Sequence, residues 1–175
     1  MLESSETSNH GSTINSNSTN FSLGDDASNS QYQKILFFDV SALLDNAWIV
    51  SAVLKIKKSG QVGSDDPFGT HQKLTLDIRK PYFGTAVSLA AADFQASASL
   101  NSVGYFSSMP SGGWYSANPS SSAFQWFKLT GSTQLRLRFQ LDDNGDHMAD
   151  DLKFYNGNAS TLTDRPVLEI QYLVP

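Results

Sequence analysis

The strongest candidate for chemistry in this sequence is the acidic stretch DDNGDHMADD at positions 142–151, which lies between two predicted strands. Asp142, Asn144 and Asp146 occupy alternate positions, and Asp150 falls where the ninth-position ligand of a calcium-binding loop would lie. Oxygen donors at this spacing suit a hard divalent cation. The pattern predicts a calcium site, with a solvated acidic turn or a catalytic pair of carboxylates as the alternatives.

The match to a calcium-binding loop of the EF-hand type is incomplete. His147 stands where glycine is required and Lys153 where a glutamate is required, and the flanking segments have the alternation of strands. A second acidic turn, Asp25 and Asp26, ends an earlier predicted strand and supplies candidates to complete the site. The chain has no cysteine and no histidine cluster, which favours calcium over zinc.

Aromatic side chains are the second candidate for chemistry. Tyr82, Tyr105, Trp114 and Tyr115 lie near or within predicted connections. Exposed rings at such positions can stack on the C–H faces of sugars, while neighbouring polar groups bind the hydroxyls. The alternative is that these rings fill the ends of the predicted sandwich.

The residue pattern does not support catalysis. The three histidines are far apart, none stands beside a serine in a nucleophile motif, and no glycine motif for a phosphate or a dinucleotide is present. The only glutamates are Glu3, Glu6 and Glu169, so a glycosidase pair would have to be built from aspartates. The sequence predicts that the protein is not an enzyme.

Composition limits the partners. The net charge is −5, and only twelve lysines and arginines are present, scattered along the chain, so nucleic acid is not an expected partner. No apolar run approaches the roughly 20 residues that a membrane-spanning helix needs, so membrane insertion is not expected. The lack of cysteine removes thiolate metal sites and disulfides.

Hydrophobic periodicity predicts the fold. In residues 134–141, leucine and phenylalanine alternate with glutamine and arginine, which predicts a strand with one buried face and one wet face. Residues 35–38 are all apolar, which predicts a central strand buried on both faces. Eight or more such strands predict an all-β, antiparallel two-sheet β-sandwich of jelly-roll type, with at most one or two short helical turns. The predicted core consists of Ile35, Phe37, Leu54, Ile56, Leu76, Ile78, Leu135, Leu137, Phe139, Leu168 and Ile170.

The chain is predicted to form one domain over residues 1–175. Residues 1–30 are rich in Ser and Asn, and they are predicted to pack along the sandwich as an edge segment rather than to serve as a linker. Residues 85–94 carry the one predicted helix, with Thr85 as its cap, and residues 97–122 are predicted to be a long connection.

Several segments together resemble a known family. They are ESSETSN at 3–9, GDDASN at 24–29 with QY at 31–32, FDVSAL at 38–43, SAVLKIKK at 51–58, DIRKPYFGT at 77–85, LTGSTQLRLRFQLDDN at 129–144, KFYNGNA at 153–159 and DRPVLEIQY at 164–172. They resemble the DNRLRE domains, which overlap the family-96-type carbohydrate-binding modules. The family tends to begin with a further strand, which is here missing or reduced to Met1 and Leu2.

The resemblance implies a non-catalytic β-sandwich module of a secreted or cell-surface protein, in a family with members that bind polysaccharide. The function expected from it is a carbohydrate-binding module whose partner is a polysaccharide. The alternative is a structural or adhesive repeat of an extracellular filament or stalk, which assembles with other domains or subunits through an edge strand near residues 1–23.

Overall fold

The chain forms two antiparallel sheets that pack against each other, as seen in a computed structural model that describes residues 1–174. The strands, in chain order, are β1 (Leu2–Glu3), β2 (Gly11–Thr13), β3 (Asn20–Asp25), β4 (Gln31–Tyr32), β5 (Lys34–Asp39), β6 (Trp48–Val62), β7 (Leu74–Arg79), β8 (Leu100–Tyr105), β9 (Trp114–Ala117), β10 (Ser132–Phe139), β11 (Asp150–Tyr155) and β12 (Val167–Leu173). The larger sheet has the order β12-β6-β11-β3-β4-β1-β2 with β9 also paired to β6, and the smaller has the order β5-β10-β7-β8.

Strands account for 42% of the chain and helical segments for 9%, which confirms the predicted all-β, antiparallel two-sheet sandwich. The described helical segments are a single α-helical turn, α1 (Pro67–Thr70), and 3₁₀ segments at Ala91–Asp93, Ser121–Trp126 and Leu162–Asp164. Within residues 1–174, every helical segment is too short to span a bilayer.

The core lies between the sheets and contains most of the predicted residues. Leucine and isoleucine side chains from β6, β7 and β10 are fully buried there, while Leu168 and Ile170 of β12 are partly buried against them. Phe37 is the exception, with 52% of its surface exposed. The prediction of a central strand at residues 35–38 is wrong because β5 is an edge strand of the smaller sheet.

The polar face of β10 is also buried, which corrects the prediction of a wet face. The connection after β7 folds over it, and the backbone N–H of Phe83 donates to Gln134 Oε1 at 2.8 Å. Arg136 donates to the carbonyl oxygens of Phe94 and Ala96 at 3.1 and 2.7 Å. Side-chain hydrogen bonds therefore replace the water that the alternation predicted.

Two further predictions about the middle of the chain are wrong. Residues 97–122 contain β8 and β9 rather than one long connection. Their many serines and glycines stand beside residues whose side chains pack into the core, such as Val103 and Tyr115. The helix predicted for residues 85–94 is reduced to the 3₁₀ segment Ala91–Asp93. Phe94 is buried in the loop that covers β10, and its carbonyl oxygen accepts a hydrogen bond from Arg136. The apolar residue at this position therefore packs from a loop and not from a helix.

The first 30 residues form the far end of the larger sheet. β1 pairs with both β2 and β4, and β3 pairs with β4 and β11. Glu3 is buried, and its carboxylate accepts hydrogen bonds from the backbone N–H groups of Asn9 at 2.7 Å and Gln31 at 3.2 Å. One carboxylate thus joins the N-terminal turn to β4.

We expect Glu3→Ala to lower the free energy of unfolding by about 1–3 kcal/mol, because the backbone N–H groups of Asn9 and Gln31 would lose a charged acceptor. Urea denaturation measures the change. The exposed Glu6 is the matched control, and Glu6→Ala should leave the midpoint in place. Equal stability of the Glu3 variant and the wild type would show that the Glu3 carboxylate does not stabilise the join between the N-terminal turn and β4.

Candidate metal centre

Two aspartates face each other across adjacent strands at one end of the larger sheet. Asp25 ends β3 and Asp150 begins β11, directly opposite each other in the antiparallel register. Both are fully buried or nearly so, with exposed fractions of 0% and 1%. The backbone N–H of Asp150 donates to Asp25 Oδ1 at 3.2 Å. Gly24 permits this approach, since its φ is +127° and a Cβ there would collide with the carbonyl oxygen of Asp150.

His71 enters the same space from the end of α1. Asp66 caps the start of α1 by accepting from the N–H of Phe68 at 3.1 Å, and the N–H of His71 donates to the carbonyl oxygen of Pro67 at 2.8 Å. The imidazole is fully buried, and its Nε2 lies 3.3 Å from Asp25 Oδ1. Neither ring nitrogen has a hydrogen-bond partner, and neither has Asp25 Oδ2.

The acidic loop between β10 and β11 approaches Asp150 from the other side. The Asn144 side-chain amide donates to Asp146 Oδ2 at 3.0 Å and to Asp150 Oδ2 at 3.1 Å. Asn144 Oδ1 accepts from the N–H of Asp146 at 3.1 Å, and Asp146 Oδ1 accepts from the N–H of Met148 at 2.7 Å. These hydrogen bonds fold the loop back on itself so that its carboxylates converge.

A third segment, residues 63–66, completes the cluster. Gly63 has a φ of +80°, and a Cβ at this position would lie 2.6 Å from Asp150 Oδ1 and would collide with the carbonyl oxygen of Ala149. Gln61 holds the next turn by donating to the carbonyl oxygen of Asp65 at 2.8 Å. The close approach at Gly63 brings Asp65 beside the acidic loop.

The cluster divides into two groups that could each hold a metal ion. Asp25, His71 and Asp150 form a buried group, and Asp65, Asp146 and Asp150 form a second group in which Asp150 alone is buried. Within each group the potential ligand atoms lie within 4.8 Å of one another. The two groups share Asp150, so they belong to one centre.

The structure brings together some of the predicted ligands and separates others. Asp25, Asn144, Asp146 and Asp150 meet at the centre. Asp26 and Asp142 lie outside both groups. Asp26 Oδ1 accepts from the N–H groups of residues 28 and 30 and so caps its own turn, and Asp142 lines a separate cavity beside Asn9 and Arg138.

Sequence reasoning missed Asp65 and His71 as members of the centre. Asp65 had a signal, because the pair Asp65-Asp66 is one of several acidic pairs in predicted turns. His71 had none, since it is an isolated histidine more than 40 residues from Asp25 and more than 70 from Asp150. The packing of α1 against β11 brings it to them.

Burial and repulsion together raise the pKa of Asp150. Burial is the larger cause, and the neighbouring carboxylates of Asp146, Asp65 and Asp25 add to it. Burial also raises the pKa of Asp151, the next residue of β11. No lysine or arginine forms an ion pair with Asp25, Asp65, Asp146 or Asp150 among residues 1–174. The excess negative charge at this centre favours the binding of a cation.

The four predicted ligand-binding aromatics do not converge. Tyr115 is 5% exposed, and its ring stacks on Phe68 at 5.6 Å between centroids and meets Phe154 edge-on at 5.5 Å. This burial favours the alternative for Tyr115, that the ring fills the end of the sandwich. Trp114 is half-buried at the start of β9, with Lys57 Nζ 5.9 Å from its ring centroid.

Tyr105 is the predicted aromatic that lines an open groove. The groove has a volume of about 760 Å³, and Asp66, Phe68, Gln72, Lys73, Tyr105 and Gln140 line it. Tyr105 is 45% exposed at the end of β8, and Lys73 Nζ lies 4.8 Å from its ring centroid. Tyr82 follows β7 at that strand's other end and does not line the groove. The groove adjoins the metal centre through α1, since Asp66 caps its start and His71 follows its end.

No family model matches this chain, and no curated protein matches it.

Proposed function

We propose that this chain is a non-catalytic carbohydrate-binding module of a secreted or cell-surface protein, and that the groove beside Tyr105 is its polysaccharide site. The observation that carries the proposal is an exposed tyrosine ring set among polar side chains in an open groove. This combination suits a sugar, which has apolar C–H faces and a rim of hydroxyl groups.

The side chains around Tyr105 supply both parts of such recognition. The ring offers a face for stacking, and the Lys73 ammonium, 4.8 Å from its centroid, restricts the ring's orientation. Gln72 and Gln140 offer amide donors and acceptors to hydroxyl groups, and Asp66 offers a carboxylate. The volume of the groove, about 760 Å³, lies in the range of roughly 300–1,000 Å³ that is usual for ligand sites.

We assign calcium to the all-oxygen group of the metal centre. Asp65, Asp146 and Asp150 present carboxylates, and the Asn144 amide holds two of them together by donating to Asp146 Oδ2 and Asp150 Oδ2 at 3.0 and 3.1 Å. Calcium takes six to eight oxygen ligands of this kind. The ion would fix residues 63–66 against the acidic loop and so support α1, which forms one wall of the groove.

The calcium assignment predicts a higher unfolding temperature in calcium than in chelator. An ion that binds only the folded protein stabilises it by about 2.7 kcal/mol at a hundredfold excess over Kd. We expect Asp146→Asn to abolish this shift and Asp142→Asn to keep it, since Asp142 lies outside the group. Calorimetry of the three proteins measures the shifts, and equal loss in both variants would contradict the assignment.

The carbohydrate proposal predicts that Tyr105→Ala weakens polysaccharide binding about tenfold, which corresponds to about 1.4 kcal/mol. Affinity electrophoresis through gels that contain a panel of neutral and acidic polysaccharides measures the retardation. Tyr172→Ala removes a comparably exposed tyrosine from β12 and is the matched control. Retention of full retardation by the Tyr105 variant would exclude the groove as the site.

A structural or adhesive repeat of an extracellular filament is the second candidate, because β12 is an edge strand among the described residues. Trp48, Tyr172 and Leu173 are exposed around this edge, so pairing with a strand of a second copy would bury apolar surface. The edge near residues 1–23 is β2, which offers only three residues. Two results together would favour this candidate. The wild type would form a dimer that Leu173→Lys dissociates, and it would bind no polysaccharide.

A further inference from the structure

We propose that Asp25, His71 and Asp150 form a second metal site within the centre, which takes zinc or another first-row divalent cation that accepts a nitrogen ligand. This site is distinct from the all-oxygen calcium group and from the groove at Tyr105. The proposal depends on neither the calcium assignment nor polysaccharide binding.

The first argument is the state of the buried polar atoms. His71 and Asp25 are fully buried, yet both ring nitrogens of His71 and Oδ2 of Asp25 lack hydrogen-bond partners. Leaving a buried polar group unpaired costs about 1–3 kcal/mol, and more for a charged one. A metal ion bound to His71 Nε2 and to both oxygens of the Asp25 carboxylate would satisfy two of these three atoms, Nε2 and Oδ2.

The second argument is the chemistry of the donors. Calcium is bound by oxygen, whereas zinc and other first-row metals readily accept imidazole nitrogen together with carboxylate oxygen. The buried group supplies one nitrogen ligand and two carboxylates. This set leaves a fourth position of a tetrahedral zinc for a second carboxylate oxygen or a water molecule.

The third argument is distance. Zinc lies roughly 2.0–2.2 Å from nitrogen and oxygen ligands, so two ligands of one tetrahedral ion lie about 3.3–3.6 Å apart. The separation between His71 Nε2 and Asp25 Oδ1 is 3.3 Å, and the pair lacks the geometry of a hydrogen bond. The two atoms are therefore already placed as neighbouring ligands.

The fourth argument is charge. Asp25, Asp65, Asp146 and Asp150 carry four negative charges when ionised, and no lysine or arginine pairs with them among the described residues. One divalent ion neutralises half of this charge, and two neutralise all of it. Asp150 belongs to both groups, so a divalent cation in either group offsets part of its charge.

The competing explanation is an imidazolium paired with Asp25. A protonated His71 would carry donors on both ring nitrogens, with Nε2 3.3 Å from Asp25 Oδ1. Metal binding instead requires the neutral ring, with a lone pair on Nε2 and the proton on Nδ1. The buried Nδ1 lacks an acceptor in both cases, so it does not decide between them. The two explanations predict different responses to zinc, because an imidazolium repels it.

Titration of the chelator-treated protein with zinc chloride, followed by calorimetry, tests the proposal. We expect one zinc ion per chain. The zinc affinity of His71→Gln should be weaker by about 100-fold or more, because loss of a group that only orients a ligand already costs about 10–100-fold. His10→Gln replaces an exposed histidine and should bind zinc as the wild type does. Asp146→Asn should lose calcium and keep zinc.

A second measurement on the wild type does not depend on the folding of any variant. We expect one equivalent of zinc to shift the imidazole ¹⁵N signals of His71 and to leave those of His10 in place. Wild-type-like zinc affinity in His71→Gln, a signal shift confined to His10 or His147, or full displacement of zinc by calcium would each overturn the proposal.

Discussion

Two carboxylates that face each other in the protein interior are the constraint on which this end of the sandwich depends. Asp25 and Asp150 are directly opposite in the register of β3 and β11, and both are buried, with exposed fractions of 0% and 1%. Carboxylate oxygens of the two residues lie within 4.8 Å of each other, and like charges this close in a poorly solvated site repel each other strongly. The strands can pair as they do only if protons or a cation offset this repulsion, and the arrangement of His71, Asp65 and Asp146 around the pair favours a cation.

A second buried carboxylate, that of Asp77, has its negative charge balanced by side chains of the same molecule. Asp77 Oδ2 accepts from Arg136 at 2.9 Å and from Arg138 at 3.1 Å, and Asp77 Oδ1 accepts from the N–H of Ser102 at 2.8 Å. That carboxylate has two guanidinium partners, whereas no arginine or lysine pairs with Asp25 or Asp150 among residues 1–174. Asp77 thus belongs to an internal ion-pair network, whereas the carboxylates of the candidate metal centre have no lysine or arginine partner among the described residues.

Sequence patterns predicted the parts of the structure that depend on local periodicity. The alternation around Leu135 and Leu137 identified a core strand, and the spacing of carboxylates up to Asp150 identified Asp146 and Asp150, two of the five residues of the candidate metal centre. What depends on strand order was not predictable. Phe37 is exposed because its strand lies at a sheet edge, and His71 reaches the centre only through the packing of α1 against the larger sheet.

We propose that a metal ion rather than protons offsets the repulsion between the facing carboxylates, and the most direct test is thermal unfolding of the wild type and Asp25→Asn, with chelator and with calcium plus zinc. The variant removes one charge but keeps Oδ1 as acceptor for the N–H of Asp150. We predict that Asp25→Asn unfolds at a higher temperature than the wild type in chelator and at a lower one in metal. A wild type that is more stable by the same margin in both buffers would contradict the account.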